Sequence, residues 1–316
     1  MSFRGDTSPD GRTTVIDFRY HLVSIISVFL ALAVGIVLGA GPLKQPIGES
    51  LQSQVDSLRS DRDELRTKLD TANGSIDKLN TYITESAPAL LTDTLKGTKV
   101  TLVSTPNSPS QAIKDVQGRL EDAGATVSDG GQLTPESLKP EESEKAIEAL
   151  KEIDPKLPAD PREAFEKAIA HAYAGEHEGA YSADQATKVI DELRSAKRLN
   201  GGSYARADVV VFLLGDSTEE DAQPVDDYTG LLTELGAKAP TVASGTVDSG
   251  SQGAVKQLRD RKVPATTVDG VDLSAGTVIT ALAVADLQST KKHQSYGFAD
   301  SAKALVPNPL PEPRKG

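Results

Sequence analysis

From Leu22 to Gly41 the chain reads LVSIISVFLALAVGIVLGAG, twenty residues without a charge. At about 1.5 Å per residue a helix of that length covers roughly 30 Å, the hydrocarbon thickness of a bilayer. Twelve of the twenty are Leu, Ile, Val or Phe, which favours insertion by about 4 to 7 kcal/mol on a translocon scale. No second run of this kind exists. A buried core helix and a cleaved signal peptide are the other readings, the latter drawing on Gly39 and Gly41 as small residues at a cleavage site. Signal-peptide apolar regions usually run about 7 to 15 residues, so an uncleaved anchor is expected. Arg12 and Arg19 precede the run and only Lys44 follows it closely. The positive-inside rule then places residues 1–21 in the cytoplasm and the bulk of the chain outside the inner (cell) membrane. Ser27, Ala31, Gly35 and Gly39 recur every four residues, and Ala31, Gly35 and Gly39 are the candidate positions for close helix pairing.

Beyond Pro42 and Pro46, which are expected to break the helix, the apolar period changes. Leu51, Val55, Leu58, Arg62, Leu65, Leu69, Ala72, Ile76, Leu79 and Ile83 alternate four and three apart. This is a heptad seam, with Leu51, Leu58, Leu65, Ala72 and Leu79 at d and Val55, Arg62, Leu69, Ile76 and Ile83 at a. It predicts a coiled coil over residues 47–86, and β-branched a positions with Leu at d favour two strands, hence a homodimer. Asp61 at g would meet Arg66 at e of a parallel partner. An antiparallel hairpin, or a helix packed on the chain's own domain, is the rival, and Asn73-Gly74 is where such a hairpin would turn.

After Pro88 short β-rich runs alternate with helical stretches, the pattern of an α/β fold with a mainly parallel, Rossmann-like sheet over residues 97–298. Strands are expected at Lys99 to Ser104, Ala125 to Val127, Asp208 to Leu214, Pro240 to Ser244 and Ala265 to Val268; the third is continuously apolar, as a strand covered on both faces should be. Helices are expected near Ser110 to Ala123, Glu141 to Ile153, Pro161 to Ala174, Ala183 to Leu199, Ala222 to Leu235, Ser251 to Arg261 and Ser274 to Thr290. Those between Glu141 and Leu199 read as an insertion into the sheet. Asp160 and Ser182 are expected N-caps. Residues 299–316, which include Pro307, Pro309, Pro311 and Pro313, read as an extended tail.

Composition narrows the chemistry. Asp and Glu outnumber Lys and Arg by 46 to 34, a formal charge of -12, the wrong sign for nucleic acid. The first 42 residues carry three Arg against three Asp, so the whole excess belongs to the exported part. With no Cys, and Met1 as the only Met, soft copper ligands are missing and any copper site must be built from His and carboxylate. The histidines are His21, His171, His177 and His293. His177-Glu178 opens like H-E-x-x-H but places Tyr181 where the second His belongs. A loose site from His171, Glu176, His177 and Glu178 competes with a solvated helix end. Thr105-Pro106-Asn107-Ser108-Pro109 stands where a phosphate loop would lie, without its glycines. Gly202-Ser203 lacks the G-x-S-x-G context, and Glu219-Glu220-Asp221 and Asp226-Asp227 sit at helix-start signals. The residues therefore give no catalytic set, no metal site and no cofactor.

Arg19-Tyr20-His21-Leu22-Val23-Ser24, followed by Val28-Phe29-Leu30-Ala31-Leu32-Ala33-Val34-Gly35-Ile36-Val37-Leu38-Gly39, resembles the opening of the actinobacterial MctB-like family, named for copper transport. The heptads, the α/β pattern and the Ile279-Thr280-Ala281-Leu282 to Tyr296-Gly297 segment extend the resemblance to about residues 17–298. The name implies copper efflux through an outer-membrane pore. A barrel needs many alternating strands, which this chain does not offer. The family's SteB-type branch implies cell separation, with a SteA-like cytoplasmic partner and an extracytoplasmic peptidoglycan hydrolase. On the anchor, the seam and the missing reactive set, the expectation is a non-enzymatic, dimeric envelope scaffold recruiting a cell-separation partner through its coiled coil. Copper efflux or tolerance is the alternative.

Overall fold

The structure, a computed structural model, describes residues 18–40, 44–139, 144–175, 177–215 and 226–314. Its contacts divide the chain between Ser75 and Ile76, inside the second helix. Most of the expected cytoplasmic segment, Gly41 at the end of the expected span, Pro42 and the last two residues of the tail lie outside the described residues.

In the first unit, α1 (Phe18–Ala40) is apolar on every side beyond His21 and exposed from Phe18 to Gly39, long and apolar enough to cross a membrane. Helix α2 (Lys44–Leu91) begins here and runs without interruption through Asn73 and Gly74. The hairpin turn considered there does not form. Pro46 lies in the first turn of α2 instead of breaking a helix, because first-turn N–H groups have no intrahelical acceptor to lose.

The second unit starts with the last turns of α2 and continues as β1 (Lys99–Ser104), α3 (Ser110–Asp122), β2 (Thr126–Leu133), α4 (Glu144–Ile153), α5 (Pro161–Ala174), α6 (Ala183–Ser195), β3 (Leu199–Asn200), β4 (Val209–Leu213), α7 (Asp226–Lys238), β5 (Thr241–Gly245), α8 (Val247–Ser251), α9 (Ala254–Asp260), β6 (Thr266–Asp269), α10 (Ser274–Thr290) and β7 (Ser295–Tyr296). The strands form one sheet in the order β3-β2-β1-β4-β5-β6-β7, parallel except where β3 joins β2. Alternation along β4 builds both cores. Val210 and Phe212 point into a cluster with α5, α6 and α7, while Val209, Val211 and Leu213 point into a cluster with α3, α10 and the end of α2. Ala87 and Leu91 fasten α2 to that second cluster.

The helical insertion between β2 and β3 is present as α4, α5 and α6. Asp160 and Ser182 cap α5 and α6 through Glu163 N and Gln185 N. The start of the expected helix at Ala222 lies outside the described residues. The expected helix Ser251 to Arg261 is realised as α9, starting at Ala254, and an unpredicted short helix, α8, precedes it; Ser249 Oγ accepts the Val255 N–H across Gly253 and turns the chain between them. The C-terminal residues lack helix and strand but are tied down. Ala304 bridges Tyr296, and Arg314 donates from its backbone N to Asp93 O (3.0 Å) and from its guanidinium to Thr98 Oγ1 (2.9 Å). The extended tail is thus a strap fastened to the sheet unit.

Candidate functional site

Strand order reverses between β1 and β4, the place where doubly wound sheets usually open a ligand crevice. Here the two loops meet each other. Thr105 N and Ser108 Oγ both donate to Leu213 O (2.9 and 2.8 Å), and Gly215 N donates to Thr105 Oγ1 (2.8 Å). A Cβ at Gly215 would stand 1.9 Å from Pro106 O, so only glycine lets the loops cross this closely. The described loops leave no phosphate cradle at Thr105 to Pro109. Glu219, Glu220 and Asp221 lie outside the described residues, as do the side chains of Asp226 and Asp227.

The histidines are dispersed. His21 is exposed on α1. His171 is buried on α5, edge-on to Tyr181 with ring centres 5.2 Å apart, and its Nε2 has no hydrogen-bond partner among the described residues. Burial, reinforced by Lys238 and Lys167, holds its pKa below the ordinary 6.5. His177 Nε2 lies 3.1 Å from the Ala207 carbonyl, and Tyr181 donates its hydroxyl to Asp154 Oδ2 (3.0 Å). The H-E-x-x-H look-alike therefore splits toward two different partners. Glu178 is exposed and Glu176 lies outside the described residues. Among the described residues no three of His, Cys, Asp and Glu are grouped to hold a metal ion.

A cleft of about 580 Å³ opens beside the amino ends of β6 and β7, with Leu258 and Val263 among its apolar residues and Lys262, His293 and Lys303 among its polar ones. Arg259, which also lines this cleft, reaches the other end of β6 in a pair the sequence did not suggest. Arg259 and Asp269 are both buried and joined at 2.7 Å. Asp269 Oδ1 also accepts from Phe298 N and Ala299 N (2.6 and 3.1 Å), while Arg259 donates to Thr267 Oγ1, Ser301 Oγ and Tyr296 O. A Cβ at Gly297, where φ is +132°, would stand 2.4 Å from the Asp269 carboxylate. The pair is a clamp holding the strap to the sheet. It was illegible because its partners lie ten and about thirty residues apart; the only sequence signal was the Asp-Gly closing β6.

Of the pairing candidates, Gly35 and Gly39 stand on α1 with open space where a Cβ would be, and Ala31 is exposed on the same helix. Leu51, Val55, Leu58, Leu65, Leu69, Ile76 and Leu79 are exposed large apolar residues on α2. Arg62 turns its guanidinium to Asp63 (2.7 Å), out of the seam. Ile83 differs from the rest, being half-buried against the chain's own core.

Comparison with known proteins adds what the geometry does not carry. Residues 15–307 match the family described as "Copper transport outer membrane protein, MctB". The protein named Copper transporter MctB from Mycobacterium bovis is 27% identical over 316 residues, covering 92% of this chain and 99% of the relative. The Mycobacterium leprae protein of the same name is 28% identical over 319 residues, with the same coverage. These matches overturn the expected cell-separation scaffold. The matches span the apolar helix, the long helix and the α/β unit of this chain, and the relatives reached are named for copper transport. With residues 15–307 accounted for in this way, the chain belongs to the MctB copper-transport family.

Proposed function

We propose that this protein acts in copper transport at the cell envelope, exporting copper and so protecting the cell from it. The observation that supports this most directly is the end-to-end character of the match, which takes in the anchor, the long helix and the α/β unit together. The acidic balance of 46 to 34 is compatible with it, since an anionic surface raises the local concentration of cations. The proposal assigns the chain no catalytic step.

In this proposal α1 is a single-pass anchor in the inner membrane, with its N-terminus in the cytoplasm and the α/β unit outside. A bilayer helix suits a segment that is apolar all round. The seven described strands form an open, mainly parallel sheet with two edges, and a membrane barrel is closed and antiparallel. We therefore assign copper passage to an assembly in which this chain is one part, and not to a pore made by one copy. The test is growth of a deletion strain in graded copper. Hypersensitivity, reversed by the intact gene, is expected; unchanged tolerance would refute the proposal.

A further inference from the structure

We infer that the exposed seam of α2 between Leu51 and Leu79 is covered by a second copy of this chain, in a parallel two-stranded coiled coil. Beyond α2, only Phe298, Leu305 and Leu310 are exposed large hydrophobic residues among the described residues. Exposed apolar side chains are therefore concentrated on α1, which lipid covers, and on α2. The α2 stripe is long and regular, with Leu58 at 67% and Leu65 at 65% exposure, whereas isolated surface leucines need no explanation.

The helix changes its buried face at Ile83, the last position of the seam. Ile83, Ala87 and Leu91, four residues apart, form the face that packs on the sheet unit. Leu79 and every seam leucine before it remain exposed. The chain's own core thus takes the last turns of α2 and leaves the heptads from Leu51 to Leu79 unpartnered among the described residues.

Charge decides what the occupant is. At the positions flanking the seam, Arg59 and Lys68 are paired within the helix to Asp56 and Glu64. Asp61 and Arg66 are also flanking residues, and among the described residues they make no hydrogen bond or ion pair. Asp61 at g and Arg66 at e are separated by the five residues that make them face each other in a parallel pair, once on each side. An antiparallel pair with the same overlap sets Arg66 against Arg66 and Lys68 against Lys68. The anchor gives the same direction, because both copies enter α2 from an α1 in one membrane. Arg62, drawn out toward Asp63, leaves the a position without burying its charge.

The chain has no cysteine, so single substitutions report contacts cleanly. In membranes carrying the full chain, Leu58→Cys and Leu65→Cys at d should give disulfide-linked dimers under mild oxidation. Ser60→Cys and Thr67→Cys, on the opposite face, should not. Asp61→Arg should weaken cross-linking through Leu65→Cys, and adding Arg66→Asp should restore it, a rescue that mere loss of folding would not allow. Equal cross-linking on both faces, or none on either, would overturn the proposal. So would a covalent dimer between chains carrying Val55→Cys and Leu79→Cys, which only an antiparallel pair can form. An adduct whose mass shows a different protein would overturn the second copy as occupant. These outcomes are independent of the copper reading, since none of them measures copper.

Discussion

Asp269 is fully buried and accepts from three donors, so its replacement tests a chain of contacts rather than one bond. Removing one member of a buried ion pair leaves the other charge uncompensated, at a cost of about 3 to 5 kcal/mol. Asp269→Asn should lower unfolding stability by that amount in urea titration and expose the 296–301 segment to proteolysis. Combining it with Arg259→Met should cost less than Asp269→Asn alone, because no unpaired charge stays behind. His171 makes a prediction of opposite character. Its pKa lies below 6.5 when folded, through burial first and then Lys238 and Lys167, with Glu234 and Asp154 opposing. Below about pH 6.5 the unfolded chain takes up a proton that the folded one refuses, so this contribution is present at neutral pH and fades on acidification. His171→Phe should flatten the fall in melting temperature between about pH 7 and about pH 5. An unchanged profile would show that carboxylates govern it. Of these residue-scale features the sequence revealed the caps Asp160 and Ser182, whose partners are three residues away, and not the clamp, whose partners the fold alone assembles.

At the scale of elements, legibility followed length and local pattern. Strand β1 and helices α5 and α10 have the bounds their sequence suggests, and the five apolar residues of β4 announced a strand covered on both faces. Strands β3 and β7, two residues each, carry no period and exist because neighbouring strands and the strap give them partners. The helix break expected at Pro46 failed because a proline in a first turn removes no hydrogen bond. Helix α2 shows one sequence pattern with two fates. Leu91 is fully buried and Leu65 is 65% exposed, so the same truncation should act differently at the two sites. Leu91→Ala should cost about 2 to 5 kcal/mol by leaving a cavity where α2 meets the sheet unit. Leu65→Ala should leave the unfolding of the sheet unit unchanged and reduce dimer cross-linking. Denaturation and cross-linking of both variants, measured side by side, separate the two roles.

At the scale of the whole molecule, the sequence made legible an α/β unit preceded by one apolar N-terminal helix and a long second helix. From that body the sequence reading put a cell-separation scaffold ahead of copper transport, and that order was wrong. Soft copper ligands are missing from the sequence, and among the described residues the histidines stand apart, so no local feature distinguishes the two readings. The family match supplied the ranking. The account stands or falls on copper content. Cell-associated copper, measured after growth at a sublethal copper concentration, should be higher in a strain lacking this gene than in its parent and should return to the parental level when the intact gene is restored. Equal copper in the two strains would contradict a role in copper export.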